Sequence, residues 1–190
     1  MRIVAGRFKG KALHAPPGEA TRPTSDRARQ AVFNILEHAP WSTGLHDVRV
    51  IDLFAGSGAL GLEAMSRGAA FCLFVETDEA ARGAIRENTE ALGVMGAARV
   101  HRRDATDLGA RPGSDGEAFD LAFLDPPYRG GLGEIALAKL AEGNWLKPGA
   151  ICVFERGTGE DAFSVDGFEA LDARKYGAAT VHFLRYAPVM

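Results

Sequence analysis

From Val48 onward, short apolar runs alternate with stretches of helical periodicity: VRVIDLF, then 59–67, AFCLFVE, 78–92, ARVH, FDLAFLD, 130–142 and AICVFE. Hydrophobicity within each run is continuous rather than alternating, which predicts strands covered on both faces and hence a parallel, doubly wound α/β sheet. Two further runs, 168–174 and 178–186, leave no room for a helix between them and are expected to pair antiparallel. A chain of 190 residues, 46% apolar and 25% charged, has material for one domain with a sizeable core and not for two. Cys72 and Cys152 lie inside FCLFV and ICVF without metal-ligand spacing, so they read as core thiols of a reducing cytosol. No run reaches the roughly eighteen apolar residues of a membrane span, and the N-terminus lacks an apolar leader. A cytoplasmic protein without a metal is expected.

The first strand ends in Asp52-Leu53-Phe54-Ala55-Gly56-Ser57-Gly58-Ala59-Leu60-Gly61, a G-x-G-x-x-G between strand and helix. Glycines let the backbone approach a ligand closely, and the following helix N-terminus favours an anionic group. A nicotinamide dinucleotide sets its pyrophosphate on such a loop; S-adenosylmethionine sets its methionine part there. Asp52 tilts the choice, because a carboxylate attracts an ammonium and repels a pyrophosphate. A tight turn without a ligand is the plain alternative. Eighteen residues after Gly58, the second strand ends at Glu76, whose carboxylate suits the two hydroxyls of a ribose. Asp78 reads as a helix cap. The third strand ends at Arg102-Arg103-Asp104-Ala105, where an acid can accept from an adenine amino group.

The fourth run ends in Asp125-Pro126-Pro127-Tyr128. The prolines fix the backbone and remove two donors, leaving carbonyl oxygens as acceptors at the sheet edge. With the Asp125 carboxylate and the Pro126 carbonyl each taking one N–H, an amino group on a base has its lone pair drawn out of conjugation. Tyr128 can stack on that base, as aromatic rings do where single bases are read. This chemistry is in-line methyl transfer from a sulfonium to a neutral nitrogen, aided by proximity and alignment. Asp-Pro-Pro can also simply end a strand, and the glycine loop one strand away is what favours the catalytic reading. Neither cysteine sits in a loop that would supply the nucleophile of carbon methylation.

Residues 1–30 hold seven cations, Arg2, Arg7, Lys9, Lys11, Arg22, Arg27 and Arg29, against Glu19 and Asp26. That segment is therefore at +5, and the chain total of -3 leaves the remainder at -8. A basic arm on an acidic body points to contact with a polyanion at one end, with a solvated basic surface as the alternative. Residues 2–14, with Gly6 and Gly10 between basic and apolar positions, are expected to form a hairpin outside the main sheet. Thr24 or Ser25 can cap a helix whose apolar positions are Ala28, Ala31, Val32, Ile35 and Leu36. Arg22, Arg27 and Arg29 then cluster at a helix start, where they oppose the dipole, so an outside anion is expected there.

Taken together, RIVAGRFKGKAL at 2–13, RPTSDRARQAVFNIL at 22–36, DLFAGSGALGLEAMSRGA at 52–69, VETD at 75–78 and DPPY at 125–128 resemble the RsmD family, bacterial 16S ribosomal RNA guanine-N2 methyltransferases. The resemblance spans nearly the whole chain; DPPY and the glycine loop are shared by many amino-nitrogen methyltransferases, whereas RPTSDRARQAVFN is the specific part. It implies a class I, Rossmann-like methyltransferase domain at 46–190, a mostly parallel seven-stranded sheet with an antiparallel C-terminal strand. An appendage at 1–45, a short hairpin and helix, is then the RNA grip. It implies S-adenosylmethionine as cofactor and one guanine of 16S ribosomal RNA as target, in free RNA or an assembling small subunit; the acidic body and the absent coiled-coil pattern make a monomer the default expectation. On that pattern Asp52, Gly56 and Gly58 hold the methionine part, Glu76 the ribose, and Asp104 with Ala105 the adenine. Phe54, Thr77 and Asp125 join the cofactor contacts, and Asp125, Pro126, Pro127 and Tyr128 hold the target base. Arg7, Lys9, Lys11, Arg22, Thr24 and Arg27 face the RNA. Relatives often carry Phe where Tyr128 stands, and either ring can stack.

The rival chemistry is DNA adenine-N6 methylation, disfavoured because only about 45 residues precede the core strands, too few for an added target-recognition region. A nicotinamide-dependent oxidoreductase would explain the glycines and Glu76 but leaves DPPY without a role. Nor does Tyr128, Tyr176 or Tyr186 have a lysine four residues on. A noncatalytic RNA-binding module has no use for a cofactor pocket.

Overall fold

The computed structural model describes residues 1–17, 25–128 and 130–189. The apolar runs become β1 (Arg49–Leu53), β2 (Phe71–Val75), β3 (Ala98–His101), β4 (Phe119–Leu124) and β5 (Leu146–Gly157), followed by β6 (Phe168–Tyr176) and β7 (Ala179–Tyr186). The helical stretches become α1 (Asp26–His38), α2 (Ala59–Ser66), α3 (Glu79–Ala91) and α4 (Leu132–Glu142). One sheet contains all seven strands in the order β3-β2-β1-β4-β5-β7-β6. The first five pair in parallel, and β7 runs antiparallel between β5 and β6. The chain winds outward from β1 through β2 to β3, then crosses back to β4 on the other side of β1. That reversal opens a crevice at the carboxyl ends of β1 and β4, where ligands bind in open α/β sheets.

Both faces are covered, as continuous hydrophobic runs require. On one, Phe33 and Leu36 of α1, Leu62 and Met65 of α2 and Ile85 of α3 bury Val50, Phe74, Phe123 and Phe183. On the other, Leu137 and Leu140 of α4 pack with Trp145 on Leu73, Leu124 and Phe154. Each such Leu or Phe contributes roughly 1.5–3 kcal/mol relative to an exposed one. Cys72 and Cys152 are buried and free, one in each core, and burial pushes both thiols well up. The expected caps form: Ser25 Oγ accepts from the Ala28 N–H (3.1 Å) and Asp78 Oδ2 from the Ala81 N–H (2.9 Å). No helix among the described residues is long and apolar enough to cross a membrane.

Residues 2–14 form the expected hairpin in short form: the antiparallel bridge of Arg2 to Ala12 is flanked by the Leu13 N–H on the Met1 carbonyl (2.9 Å) and the Ile3 N–H on the Lys11 carbonyl (2.9 Å), and the Gly10 N–H returns to the Ile3 carbonyl (2.8 Å). The Val4 and Ala5 N–H groups donate to the Glu63 carboxylate (2.8 and 3.0 Å), and the Phe8 N–H donates to Ser66 Oγ (3.0 Å). Side chains of α2 thus fasten the hairpin to the domain. The 110–117 segment is stapled at the far end of the sheet: Arg49 lies over the Phe71 and Phe119 rings and donates to the Asp115 carbonyl (2.6 Å).

Candidate active site

The glycine loop leaves β1 at Phe54, which holds φ +56° although it has a side chain. Such backbone strain concentrates at functional sites. Here it turns the chain so that Phe54 lines two cavities that meet at its ring. Gly58, at φ +83°, is the N-cap of α2. A Cβ on Gly61 would sit 2.5 Å from Phe74 and 2.6 Å from Cys72 Sγ, so α2 rests on β2 more closely than any side chain permits. Asp52 is buried, and its Oδ2 accepts the Gly61 N–H (3.1 Å), which fixes a carboxylate beneath the loop.

At the end of β2, Glu76 Oε1 accepts the Gly56 N–H (2.8 Å) and Oε2 accepts the Asp78 N–H (3.0 Å). A carboxylate oxygen has two acceptor sites, so each keeps capacity for a hydroxyl. Past β3, Asp104 Oδ1 accepts from Thr106 Oγ1 (2.7 Å) and the Thr106 N–H (2.8 Å). The hydroxyl bond first, then the backbone bond, hold that carboxyl below its usual range. Phe54, Glu76, Thr77, Asp104, Ala105 and Pro127 line one cavity, of about 240 Å³. Asp52, Phe54, Gly56 and Asp125 line the other, together with Arg29, Val32, Val153 and Glu155. Gly58 lines neither and instead donates to the Ala55 carbonyl (2.8 Å). Pro126 is buried; Pro127 and Tyr128 are exposed beside Arg156 and Glu160.

Of the residues expected at the RNA, Arg7, Lys9 and Lys11 are exposed on the 2–14 hairpin and Arg27 is exposed on the first turn of α1. Arg7 stacks on Phe8, 4.5 Å from the ring centre. Arg22 and Thr24 lie outside the described residues. Arg29 corrects the expectation of a free cationic cluster. It is 2% exposed, bonded to the Arg2 carbonyl, 2.9 Å from Asp26 Oδ1 and 3.5 Å from Glu63 Oε1. Its place in the sequence, three, four and seven residues before Val32, Phe33 and Leu36, already put it on the inner face.

Three participants escaped the sequence reading. Asn88 Nδ2 donates to the Ser57 and His14 carbonyls (both 3.0 Å) and Oδ1 accepts the His14 N–H (2.7 Å), tying the glycine loop to the N-terminal arm. Its signal was a polar residue in phase with Ala81, Ala84 and Ile85. Glu63, in the middle of α2, fixes the arm, and Glu155, near the end of β5, lines the crevice.

The two cavities suit an elongated ligand bent at Phe54, with acceptors along its length: Asp52 toward an ammonium, Glu76 toward hydroxyls and Asp104 toward an amine. Two cations line this path, and both are engaged within the protein: Arg29 by Glu63 and Asp26, and Arg103 by the Leu108 carbonyl (2.8 Å), which is poor provision for a pyrophosphate. These residues fit S-adenosylmethionine. No group of three or more metal-type side chains occurs among the described residues.

A family described as Conserved hypothetical protein 95 matches residues 1–185. The chain is 37% identical over 156 residues to ribosomal RNA small subunit methyltransferase D of Haemophilus influenzae, covering 82% of this chain and 78% of that one. It is 38% identical to the protein of the same name from Escherichia coli strain K12, over 82% of this chain and 74% of the relative. The solved Escherichia coli protein yhhF superposes with a TM-score of 0.85 at 32% identity, over 100% of this chain and 99% of that one. With the seven-stranded class I methyltransferase sheet and a match from end to end, the chain belongs to the RsmD family, that of ribosomal RNA small subunit methyltransferase D.

Proposed function

We propose that this protein is a ribosomal RNA methyltransferase that moves a methyl group from S-adenosylmethionine to the N2 amine of a guanine in 16S ribosomal RNA. The observation that carries the reading is the meeting of the DPPY segment and the glycine loop at the carboxyl ends of neighbouring strands, with Asp52 and Asp125 on one cavity wall. Bound S-adenosylmethionine supplies an electrophilic methyl on a sulfonium. The chain's residues do the rest. Asp52 holds the ammonium, Glu76 the ribose hydroxyls, and Asp104 with Ala105 the adenine; Phe54 forms the wall between the two ends. Asp125 and the Pro126 carbonyl accept the two amine hydrogens, which turns the nitrogen lone pair toward the methyl. Asp125 also takes the proton that the alkylated nitrogen sheds, and Tyr128 stacks on the base.

Residues 1–45, with Arg7, Lys9, Lys11 and Arg27 exposed, serve as the RNA grip, and 46–190 carries the chemistry. The names of the curated relatives favour ribosomal RNA over the DNA adenine alternative. The engagement of Arg29 and Arg103 within the protein disfavours a nicotinamide dinucleotide. The test is transfer of labelled methyl from S-adenosylmethionine to small-subunit ribosomal RNA, free and in partly assembled particles, followed by nucleoside analysis. N2-methylguanosine is expected, and Asp125→Ala is expected to cut the rate by about a thousandfold or more with cofactor affinity retained. N6-methyladenosine in a parallel DNA sample, with RNA unmodified, would overturn the assignment.

A further inference from the structure

Resting on that reading, we propose that Glu155 is the residue that selects guanine, by accepting the N1–H of its Watson–Crick edge. Leu124 and Phe154 are register partners in parallel β4 and β5, so the next residues, Asp125 just past β4 and Glu155 within β5, stand side by side, roughly 5 Å apart. Glu155 follows Val153 on the sheet face that also carries Phe123 and Asp52, and both lie on the wall of the cavity containing Asp125. Glu155 also lines the small cavity beside Pro126 and Tyr128, on the side of the amine-orienting segment away from the glycine loop. The following residue, Arg156, points the other way, 3.0 Å from Glu134 Oε1 and over the Phe163 ring at 4.6 Å.

The chemistry follows from counting donors. Guanine offers three hydrogens on this edge, one on N1 and two on N2. Asp125 and the Pro126 carbonyl account for the N2 pair, and a second carboxylate one strand over meets N1–H. Adenine offers two hydrogens on N6 and a lone pair at N1, which a carboxylate repels. Asp125 alone serves either amine; Asp125 beside Glu155 serves only the base whose ring nitrogen is protonated. A site built around a hydrogen-bond donor discriminates strongly against a ligand lacking it, because its own polar group is left unmatched.

The experiment compares kcat/KM for RNA substrates carrying guanine or 2-aminopurine at the methylated position. 2-Aminopurine keeps the N2 amine but has an unprotonated N1. The wild-type protein is expected to favour guanine by about 100-fold, and Glu155→Gln, whose amide can donate to N1, to bring the ratio within about tenfold while leaving the S-adenosylmethionine dissociation constant within about twofold. The wild-type ratio needs no variant to fold, and equal use of the two bases would overturn the proposal while leaving guanine-N2 transfer intact. An unchanged ratio in Glu155→Gln, or a tenfold loss of cofactor affinity there, would overturn it too. Absence of N2-methylguanosine from the wild-type reaction would bring down the underlying functional reading as well.

Discussion

Glu63 and Glu76 each give both carboxylate oxygens to main-chain N–H groups, yet they do different work. Glu63 is fully buried; its oxygens hold the Val4 and Ala5 N–H groups and lie 3.5 Å from Arg29 Nε and 2.9 Å from Arg67 Nε. Glu76 stands half-buried at the cavity rim and accepts from Gly56 and Asp78. The first fastens one part of the chain to another and has no water to fall back on. The second shapes a loop while keeping lone pairs for a ligand. Burial, more than bonding pattern, separates the structural acid from the binding one.

Removing the buried acid should have the largest effect. Glu63→Ala takes the buried carboxylate from two guanidiniums, which keep only Asp26 and Glu37 as acidic partners, and leaves two N–H groups without their acceptor, and the expected loss is about 3–5 kcal/mol in urea unfolding; a loss under about 1 kcal/mol would erase the distinction between the two acids. Glu76→Ala should cost only about 1–2 kcal/mol of stability, from the loop donors it leaves. Its main effect should be a cofactor dissociation constant raised about 10- to 100-fold by calorimetry, and a stability loss equal to that of Glu63→Ala would merge the two roles. Smallest in stability, within about 0.5 kcal/mol, is the triple change Arg7→Ala, Lys9→Ala, Lys11→Ala. It should lower the slope of log affinity against log salt for RNA by about 2–3. An unchanged slope would mean that the arm Glu63 anchors does not touch phosphate.

The sheet was legible because strands buried on both faces write themselves as unbroken apolar runs, and the site acids because they end those runs: Asp52 within VRVIDLF, Glu76, Asp125. Asp104 follows the same rule a few residues beyond His101. Ser25 and Asp78 were legible as caps through purely local bonding. What escaped depends on partners distant in sequence. The 2–14 hairpin was legible, but its fastening to Glu63 and Ser66, some 58 residues away or more, was not. Arg29 looked like part of a basic surface until its carboxylate partners were known. Glu155 was visible as the end of AICVFE, yet its use depends on the β4–β5 register, which no single run contains.

The anchoring of the arm also sets an order of events during synthesis. The Val4 N–H meets Glu63 across 59 residues, and the His14 N–H meets Asn88 across 74. At roughly 5–20 residues per second, about 4–15 s pass between translation of His14 and translation of its partner. Throughout that interval Arg7, Lys9 and Lys11 are made but cannot yet be fastened. The most cationic stretch of the nascent chain therefore waits on α2 and α3, and it is held in place only after the glycine loop has been translated.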